Sequence, residues 1–394
     1  MAWLAESTRF FSFYTPNEIK LQGFYVPAEA SRRLMFREGC EDLEGDQATS
    51  CKVRKSLGSA RQQLQPVVLC AGWSESTVLY ARFIRRLHLQ GYDVFSYDLR
   101  GQGFSDSLVH ESRGKVTHVD IFAQYVQDLE HFIKLVMPNQ LHYATYNYFG
   151  DYDIKPVYVG ISLSGLIGLT LLREQPSLIS KLVLVTPCIS PKLDYAIRIA
   201  IGTLVALGNG RNLAARVEHD DTKVLVTHST SNALSWNKAR DLVPEILKIS
   251  GPSFGFLNEL LRASGSIQQA APELQNSMLI FQAERDEFVD NEAMGRFFSQ
   301  LGTAMPPTGA DVDAGAGSCT SRDKGRVRIE DEVVGVGSFG ESNTSTGDLD
   351  VAQPPCRKLK TSKLVRLPGS YHGLLRESDA IFDEVMSELI DFLR

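Results

Sequence analysis

Residues 157–165 combine a run of apolar and β-branched residues with a serine that stands among small residues. The run predicts a buried strand, and the residues behind it predict a helix that ends before Pro176. A serine at such a sharp strand-to-helix turn, here Ser162, projects its hydroxyl above the sheet and can act as a nucleophile. The backbone N–H of Leu163, at the start of the helix, can then stabilise an oxyanion. The alternative is that Ser162 merely caps the helix.

The turn departs from the usual nucleophile pattern because Ser164 stands where glycine is common. In this relaxed form the pattern also fits residues 103–107, with Ser105 at the centre. Ser105, however, follows its predicted strand through a longer loop, and no predicted helix begins directly behind it. We therefore expect Ser162 to be the nucleophile.

A nucleophilic serine needs a base, and the base needs a carboxylate that orients it. His372 lies between the last predicted strand and the last predicted helix, and Asp286 follows the predicted strand at 278–283. Two acids close to Asp286 are weaker candidates, since Asp290 is placed to cap the next helix and Glu284 comes early in the turn. Loops at the carboxyl ends of strands are where α/β sheets assemble their sites. The order serine, aspartate, histidine is the one found in α/β-hydrolases.

A second oxyanion donor is expected in the loop that follows the predicted strand at 66–71. The backbone N–H of Trp73 is the candidate, although its side chain could simply pack against the core or a cap, and both can hold. Another loop, at 98–105, has two glycines but lacks the third glycine of a dinucleotide fingerprint. We interpret it as a structural turn in which Arg100 braces neighbouring loops.

Predicted strands and helices alternate along most of the chain, which indicates an α/β fold with a mostly parallel central sheet flanked by helices. The strands are short apolar runs, as expected where both faces of a sheet are buried. They are predicted at 9–14, 19–26, 66–71, 93–97, 156–160, 181–186, 278–283 and 363–367. Helices are predicted at 78–90, 118–136, 163–174, 291–301 and 378–393.

The predicted core is divided into an N-terminal part, 1–186, and a C-terminal part, 278–394. Between them, residues 187–277 are mainly helical in pattern, and we predict a helical cap over the sheet. Segments 37–63 and 304–360 are polar and turn-rich without periodicity. Because neither can bury enough apolar surface to offset the entropy of ordering it, both are predicted to be disordered insertions.

The composition and charge of the chain argue against several classes of protein. Lys and Arg number 41 against 47 Asp and Glu, a net charge of -6, which argues against nucleic acid as a partner. No apolar run approaches the roughly 20 residues of a transmembrane helix, and the N-terminus does not resemble a secretory signal. The six cysteines are scattered without Cys-x-x-Cys spacing. We expect reduced thiols, no metal site and a cytoplasmic location.

Four segments together resemble the bacterial lysophospholipase and monoacylglycerol lipase group, a family of α/β-hydrolases with a helical cap. These segments are 160–165, 98–105, 282–291 and 369–373. The resemblance runs from about residue 11 to the C-terminus outside the two insertions, and it touches the cap at 226–229 and 251–253. It implies a serine esterase that acts on a lipid ester without a metal or organic cofactor. The residues it assigns are Ser162, Asp286 and His372 as the triad, with Trp73 and Leu163 as oxyanion donors.

Three departures from the family pattern concern the surroundings of these residues. Besides Ser164, Ala71 stands where a histidine usually precedes Gly72, and Gly373 replaces a common acidic residue. The first bears on the geometry of the nucleophile turn. The second bears on bracing of the loop after the strand at 66–71, which contains Trp73 and which we call the oxyanion loop. The third bears on the setting of His372. None removes a catalytic group.

The same candidate residues are also compatible with other functions. One is a different acyl hydrolase, such as a thioesterase or small-ester esterase, and another is a catalytically silent binding protein. The apolar stretch at 193–207 would line an acyl tunnel, rest transiently on a membrane surface or pack inside the cap.

Overall fold

The computed structural model describes residues 2–28, 65–111, 114–145, 155–217, 226–242, 249–303 and 362–394. The two segments predicted to be disordered insertions, 37–63 and 304–360, lie outside these residues.

Most strands of the described residues belong to one sheet. They are β1 (Arg9–Tyr14), β2 (Lys20–Val26), β3 (Val67–Cys70), β4 (Val94–Tyr97), β5 (Val109–Glu111), β6 (Gly114–Thr117), β7 (Val157–Ile161), β8 (Lys181–Val185), β9 (Ile249–Pro252), β10 (Met278–Arg285) and β11 (Lys363–Tyr371). Eight of them form a sheet in the order β1-β2-β4-β3-β7-β8-β10-β11. The pairs β1–β2 and β2–β4 are antiparallel and the others are parallel. All eight strands predicted from the sequence are confirmed, although β10 and β11 extend beyond their predicted ends.

Helices connect these strands and cover the sheet. They are α1 (Ala2–Ser7), α2 (Ala81–Leu89), α3 (Ala123–His131), α4 (Met137–Thr145), α5 (Leu163–Glu174), α6 (Tyr195–Leu204), α7 (Thr230–Asp241), α8 (Phe254–Ala270), α9 (Asn291–Gln300) and α10 (Asp379–Leu393). As predicted, the side chain of Asp290 caps α9, where it accepts hydrogen bonds from the backbone N–H groups of Glu292 and Ala293.

The central strands are buried on both faces, as their continuous apolar runs indicated. Val68, Tyr158 and Leu182 belong to one apolar layer, together with residues of α3, α5 and α8. Their neighbours on the same strands face the opposite layer, which contains residues of α2 and α10. The predicted α/β architecture, a mostly parallel sheet between helices, is therefore confirmed. Its consequence is that the carboxyl ends of β3, β7, β10 and β11 lie along one edge of the sheet.

Residues 187–277 contribute α6, α7, β9 and α8, and we refer to their described part (187–217, 226–242 and 249–277) as the cap region. β9 joins the hairpin β5–β6 in a second, three-stranded sheet. This sheet was not predicted, because its strands are three or four residues long and lack apolar alternation. α8 contacts both α6 and the core helix α5. That the region forms a separate cap domain stays a prediction.

Candidate active site

Ser162 occupies a strained turn between β7 and α5. Its backbone has φ 50° and ψ −110°, a conformation that residues other than glycine rarely adopt. Two hydrogen bonds hold the turn: the Ser162 N–H donates to the Val185 carbonyl at 3.0 Å, and the Ser162 carbonyl accepts from the Cys188 N–H at 2.9 Å. The hydroxyl is thereby raised above the carboxyl end of β7, between β3 and β8.

The small residues around Ser162 allow strand and helix to approach closely. A Cβ atom on Gly160 would lie 2.7 Å from the Ser164 carbonyl oxygen and 2.9 Å from the Gly165 Cα, so only glycine fits there. Ser164, in contrast, has room for its side chain. Its hydroxyl accepts a hydrogen bond from the Ile161 N–H at 2.8 Å and donates to the Cys70 carbonyl at 2.6 Å. The departure from glycine thus adds one hydrogen bond within the turn and one between the turn and β3.

Ser105, the other serine that fits the relaxed pattern, has a structural environment. It is fully buried, and its hydroxyl donates to the Asp98 carbonyl at 2.5 Å and accepts from the Gln22 N–H at 3.0 Å. These contacts join the loop after β4 to β2 and leave no accessible hydroxyl.

The ends of β10 and β11 bring Asp286 and His372 to Ser162. The two strands pair up to Arg285 and Tyr371, so that the next residue of each lies at the same edge of the sheet. His372 Nδ1 lies 2.7 Å from Asp286 Oδ2, and His372 Nε2 lies 3.0 Å from Ser162 Oγ. The three predicted triad residues are therefore in direct contact, each from the end of a different strand.

Asp286 is held as a carboxylate. Its side chain has no solvent exposure, and its Oδ1 accepts hydrogen bonds from the N–H groups of Phe288 and Val289, each at 2.9 Å. Burial alone raises the pKa of Asp286, but the hydrogen bond and charge of His372 and these two N–H groups outweigh burial and lower the pKa below its ordinary value. An ionised Asp286 accepts the Nδ1–H of His372, which leaves Nε2 free to accept the Ser162 proton.

The loop after β3 borders the nucleophile. A Cβ atom on Gly72 would lie 3.5 Å from the Ser162 Cβ, which places the adjoining backbone at the reacting group. The Trp73 side chain points toward the cap region, where its ring stacks at 6.3 Å on Phe256 and its Nε1–H donates to Thr117 Oγ1 at 2.9 Å. Leu163 is the first residue of α5. That the backbone N–H groups of Trp73 and Leu163 bind an oxyanion stays a prediction.

This loop is braced by side chains other than the expected ones. Glu75 Oε2 accepts a hydrogen bond from the Gly72 N–H at 3.0 Å. Gln102 accepts from the Ser74 N–H at 2.9 Å and donates to the Gly72 carbonyl at 3.1 Å. Glu75 and Gln102 therefore brace this loop, in which Ala71 stands where the family has a histidine.

Arg100 does not have the role predicted for it. Its guanidinium forms two hydrogen bonds with Asp128 of α3, at 2.7 and 2.6 Å, and both side chains are buried. The side chain of Arg100 therefore contacts α3, which covers one face of the sheet. Gln102, two residues further along the same loop, contacts the oxyanion loop instead.

Two buried carboxylates near the site, Glu75 and Glu377, were not singled out from the sequence. Both lie in short polar stretches, and their hydrogen-bond partners give no local signal in the sequence. In the parts of the chain that the structure describes, His, Cys, Asp and Glu side chains form no group of three that could hold a metal ion. Within the same residues, none of the helices is long and apolar enough to cross a membrane.

Comparison with known proteins identifies the relatives of the chain. The family model described as serine aminopeptidase, S33, matches residues 61–305, a range that includes Ser162 and Asp286 and ends before His372. The probable lysophospholipase L2 of Haemophilus influenzae is 24% identical over 236 residues, 57% of this chain and 69% of that protein. Lysophospholipase L2 of Escherichia coli strain K12 is 27% identical over 246 residues, 59% of this chain and 66% of that protein. The chain thus spans about two thirds of the length of these relatives.

A solved structure shares the fold. The soluble variant of monoglyceride lipase from Saccharomyces cerevisiae, in complex with a substrate analog, superposes with a TM-score of 0.57 at 16% identity. The superposition covers 98% of this chain and 94% of the yeast chain. The predicted α/β-hydrolase fold is therefore confirmed.

Proposed function

Because the chain belongs to the serine aminopeptidase S33 family of α/β-hydrolases, we propose that it is a serine hydrolase that cleaves carboxylic esters of lipids, either a lysophospholipid or a monoacylglycerol. One observation carries this proposal: Ser162 Oγ, the His372 ring and the Asp286 carboxylate form a continuous series of contacts at 3.0 and 2.7 Å. Such a series supplies a nucleophile, a general base and a group that orients the base.

The proposed reaction has two steps. Ser162 Oγ attacks the ester carbonyl carbon while His372 Nε2 takes the hydroxyl proton, and the charged imidazole is stabilised by Asp286. The N–H groups of Leu163 and Trp73 bind the oxyanion of the tetrahedral intermediate. When the intermediate collapses, the C–O bond breaks and His372 protonates the leaving alcohol. Water, deprotonated by His372, then attacks the acyl-enzyme and releases the acid and Ser162.

The exposed surface of the cap region supports a lipid substrate. α6 is apolar, yet of its residues only Ile201 is buried. Tyr195 is 79% exposed, Ile199 is 53% exposed, and Leu207, just beyond the helix, is 72% exposed. A helix with apolar side chains in water is typical of a surface that contacts lipid. We include in the proposal that α6 makes transient contact with a membrane or micelle surface.

This apolar surface begins beside the catalytic acid. The Lys192 N–H donates to the Phe288 carbonyl at 2.8 Å, and Lys192 Nζ donates to the backbone carbonyl of Asp286. Pro191, Leu193 and Ile197 line a cleft at this point. We include in the proposal that an acyl chain passes from α6 across this cleft toward the triad. The cytoplasmic location expected from the sequence stays a prediction.

The test is labelling with a fluorophosphonate probe together with a substrate panel, for the wild type and Ser162→Ala. We expect the probe to label the wild type only, and Ser162→Ala to lose about 10⁴-fold or more in kcat. The panel compares a lysophospholipid and a monoacylglycerol with a short 4-nitrophenyl ester, an acyl thioester and an amino-acid 4-nitroanilide. The long-chain oxygen esters should have the highest kcat/KM, and the rate should rise when they are presented in micelles or vesicles.

Each other outcome points to a different function. Preference for the thioester or the short ester would indicate another acyl hydrolase, and preference for the nitroanilide would indicate a peptidase. A folded wild type that stays unlabelled, even with detergent to loosen the cap region, would contradict the serine hydrolase proposal and favour a binding protein.

A further inference from the structure

A buried carboxylate lies close to His372 without touching it. Glu377, five residues after the histidine, has no solvent exposure. A buried carboxylate is costly unless its oxygens are hydrogen-bonded. Glu377 Oε1 accepts from the Tyr371 N–H at 2.8 Å, and Oε2 accepts from Thr227 Oγ1 and the His228 N–H, each at 3.0 Å. One carboxylate therefore joins the residue before His372 to two residues of the cap region.

The residue after His372 is also bonded to the cap region. The Gly373 N–H donates to the Val226 carbonyl at 2.7 Å. A Cβ atom on Gly373 would lie 2.7 Å from that same oxygen, which explains why the acidic residue common in the family is absent here. Asn232 of α7 adds hydrogen bonds to the carbonyls of Arg376 and Glu377, at 2.9 and 2.8 Å. The backbone on both sides of His372 is thus tied to the segment 226–232.

We propose that Glu377 is a positioning residue that holds the His372 loop to the cap region and thereby keeps the imidazole within reach of Ser162. The inference rests on the proposed role of His372 as general base. It accounts for the chemistry at position 377, because two backbone N–H groups, those of Tyr371 and His228, face different oxygens of this side chain. Only a carboxylate accepts hydrogen bonds at both, since a glutamine of the same size must present its NH₂ group to one of them.

The informative variant is therefore Glu377→Gln, and the chain offers a matched control. Glu377 is a core carboxylate bonded to the cap region, and Glu259 of α8 is a carboxylate of the cap region that accepts a backbone N–H from the core, that of Phe122 at 3.0 Å. It has no contact with the triad. Glu377→Gln and Glu259→Gln make the same chemical change at two contacts between cap region and core, only one of which borders His372.

The experiment measures kcat and KM for 4-nitrophenyl butyrate, the rate constant of fluorophosphonate labelling, and the melting temperature of each variant. Displacement of a catalytic group by about 1 Å costs on the order of 10²-fold in rate, so Glu377→Gln should lower kcat and labelling by about 10- to 100-fold. Its KM should change by less than about threefold, and Glu259→Gln should leave all three kinetic values within about threefold of the wild type.

The outcomes separate this inference from the proposed function. Folded Glu377→Gln with kcat and labelling equal to those of Glu259→Gln overturns the positioning role. If Glu377→Gln does not fold, the positioning role is tested with Thr227→Val, which removes one hydrogen-bond donor to Glu377. Labelling slowed about threefold or more in this variant supports the inference. An unchanged labelling rate overturns it. A wild type that is neither active nor labelled overturns the proposed function, and the inference with it.

Discussion

The nucleophile and the base of the candidate site are held in two different ways. The turn at Ser162 is fixed by residues close to it in the chain, with Gly160 allowing close packing and Ser164 bonding back to the Ile161 N–H, and by hydrogen bonds to Val185 and Cys188 at and just after the end of β8. The ring of His372 depends on distant residues. Its orienting partner Asp286 is 86 residues away, and Glu377 joins its loop to Thr227, 150 residues away.

This difference has a mechanical consequence. A turn fixed by β7, α5 and the end of β8 keeps its geometry while the core sheet is intact. Its hydrogen bond from the Cys188 N–H of the cap region is made only three residues after β8. A loop fixed by the cap region moves with it. We therefore expect changes in the cap region to alter the base and leave the nucleophile turn unchanged, and three substitutions test this contrast.

The largest effect is expected for Asp286→Asn. An amide at this position favours the wrong imidazole tautomer, so kcat should fall by about 10⁴-fold with the Ser162 turn unchanged. The control is Asp290→Asn on the same loop, because asparagine also caps helices well and kcat should stay within about threefold. Steady-state kinetics on both variants provide the check, and a kcat for Asp286→Asn above a tenth of the wild-type value would contradict the orienting role.

The wild type and Asp286→Asn also give a prediction for how the free energy of unfolding depends on pH. The pKa of Asp286 is lowered in the folded state, so the stabilisation from its ionised form is present above the unfolded pKa and is lost as pH falls through the folded pKa. On acidification, the wild type should therefore lose more free energy of unfolding than Asp286→Asn does. Urea unfolding at a series of pH values measures the difference.

A smaller effect is expected for Gly373→Ala. The added methyl would meet the Val226 carbonyl at 2.7 Å, so the backbone of the cap region or the His372 loop must shift. A shift of a few tenths of an ångström should lower kcat by about tenfold. In Gly265→Ala, within α8, the new Cβ has nothing within 4 Å, and the substitution should raise stability by about 0.5–1 kcal/mol without affecting kcat. Equal kcat values for the two variants would show that the cap region does not set the position of His372.

The contrast also explains what could be predicted from the sequence. The eight strands and α5 follow from local apolar patterns, and Ser162, Asp286 and His372 follow from their places at strand ends. Glu377 could not be found in this way, because its partners in the cap region, Thr227 and His228, lie far away in the chain. On the loop after β4, Arg100 and Gln102 are two residues apart, and only the direction of each side chain shows which one braces the oxyanion loop.

The cap region marks a second limit. The apolar stretch at 193–207 is visible in the sequence, but three environments suit such a stretch equally well. The exposed side chains of Tyr195 and Leu207 argue against packing inside the cap, and their contact with lipid stays part of the proposed function. The small sheet formed by β5, β6 and β9 was missed because its pairing crosses from the core to the cap region.

The smallest effect is expected at Ser164, on the nucleophile side of the contrast. Ser164→Ala removes the acceptor of the Ile161 N–H and the donor to the Cys70 carbonyl, and it should lower stability by about 1–2 kcal/mol. Because Gly160 and the bonds of Ser162 to Val185 and Cys188 still fix the turn, the rate of fluorophosphonate labelling should fall by less than about threefold. Ser164→Gly, which restores the common pattern, should behave alike apart from a further small loss of stability. Labelling slowed more than tenfold in both would mean that the turn also needs its bond to β3, 94 residues away in the chain, and would remove the contrast between nucleophile and base.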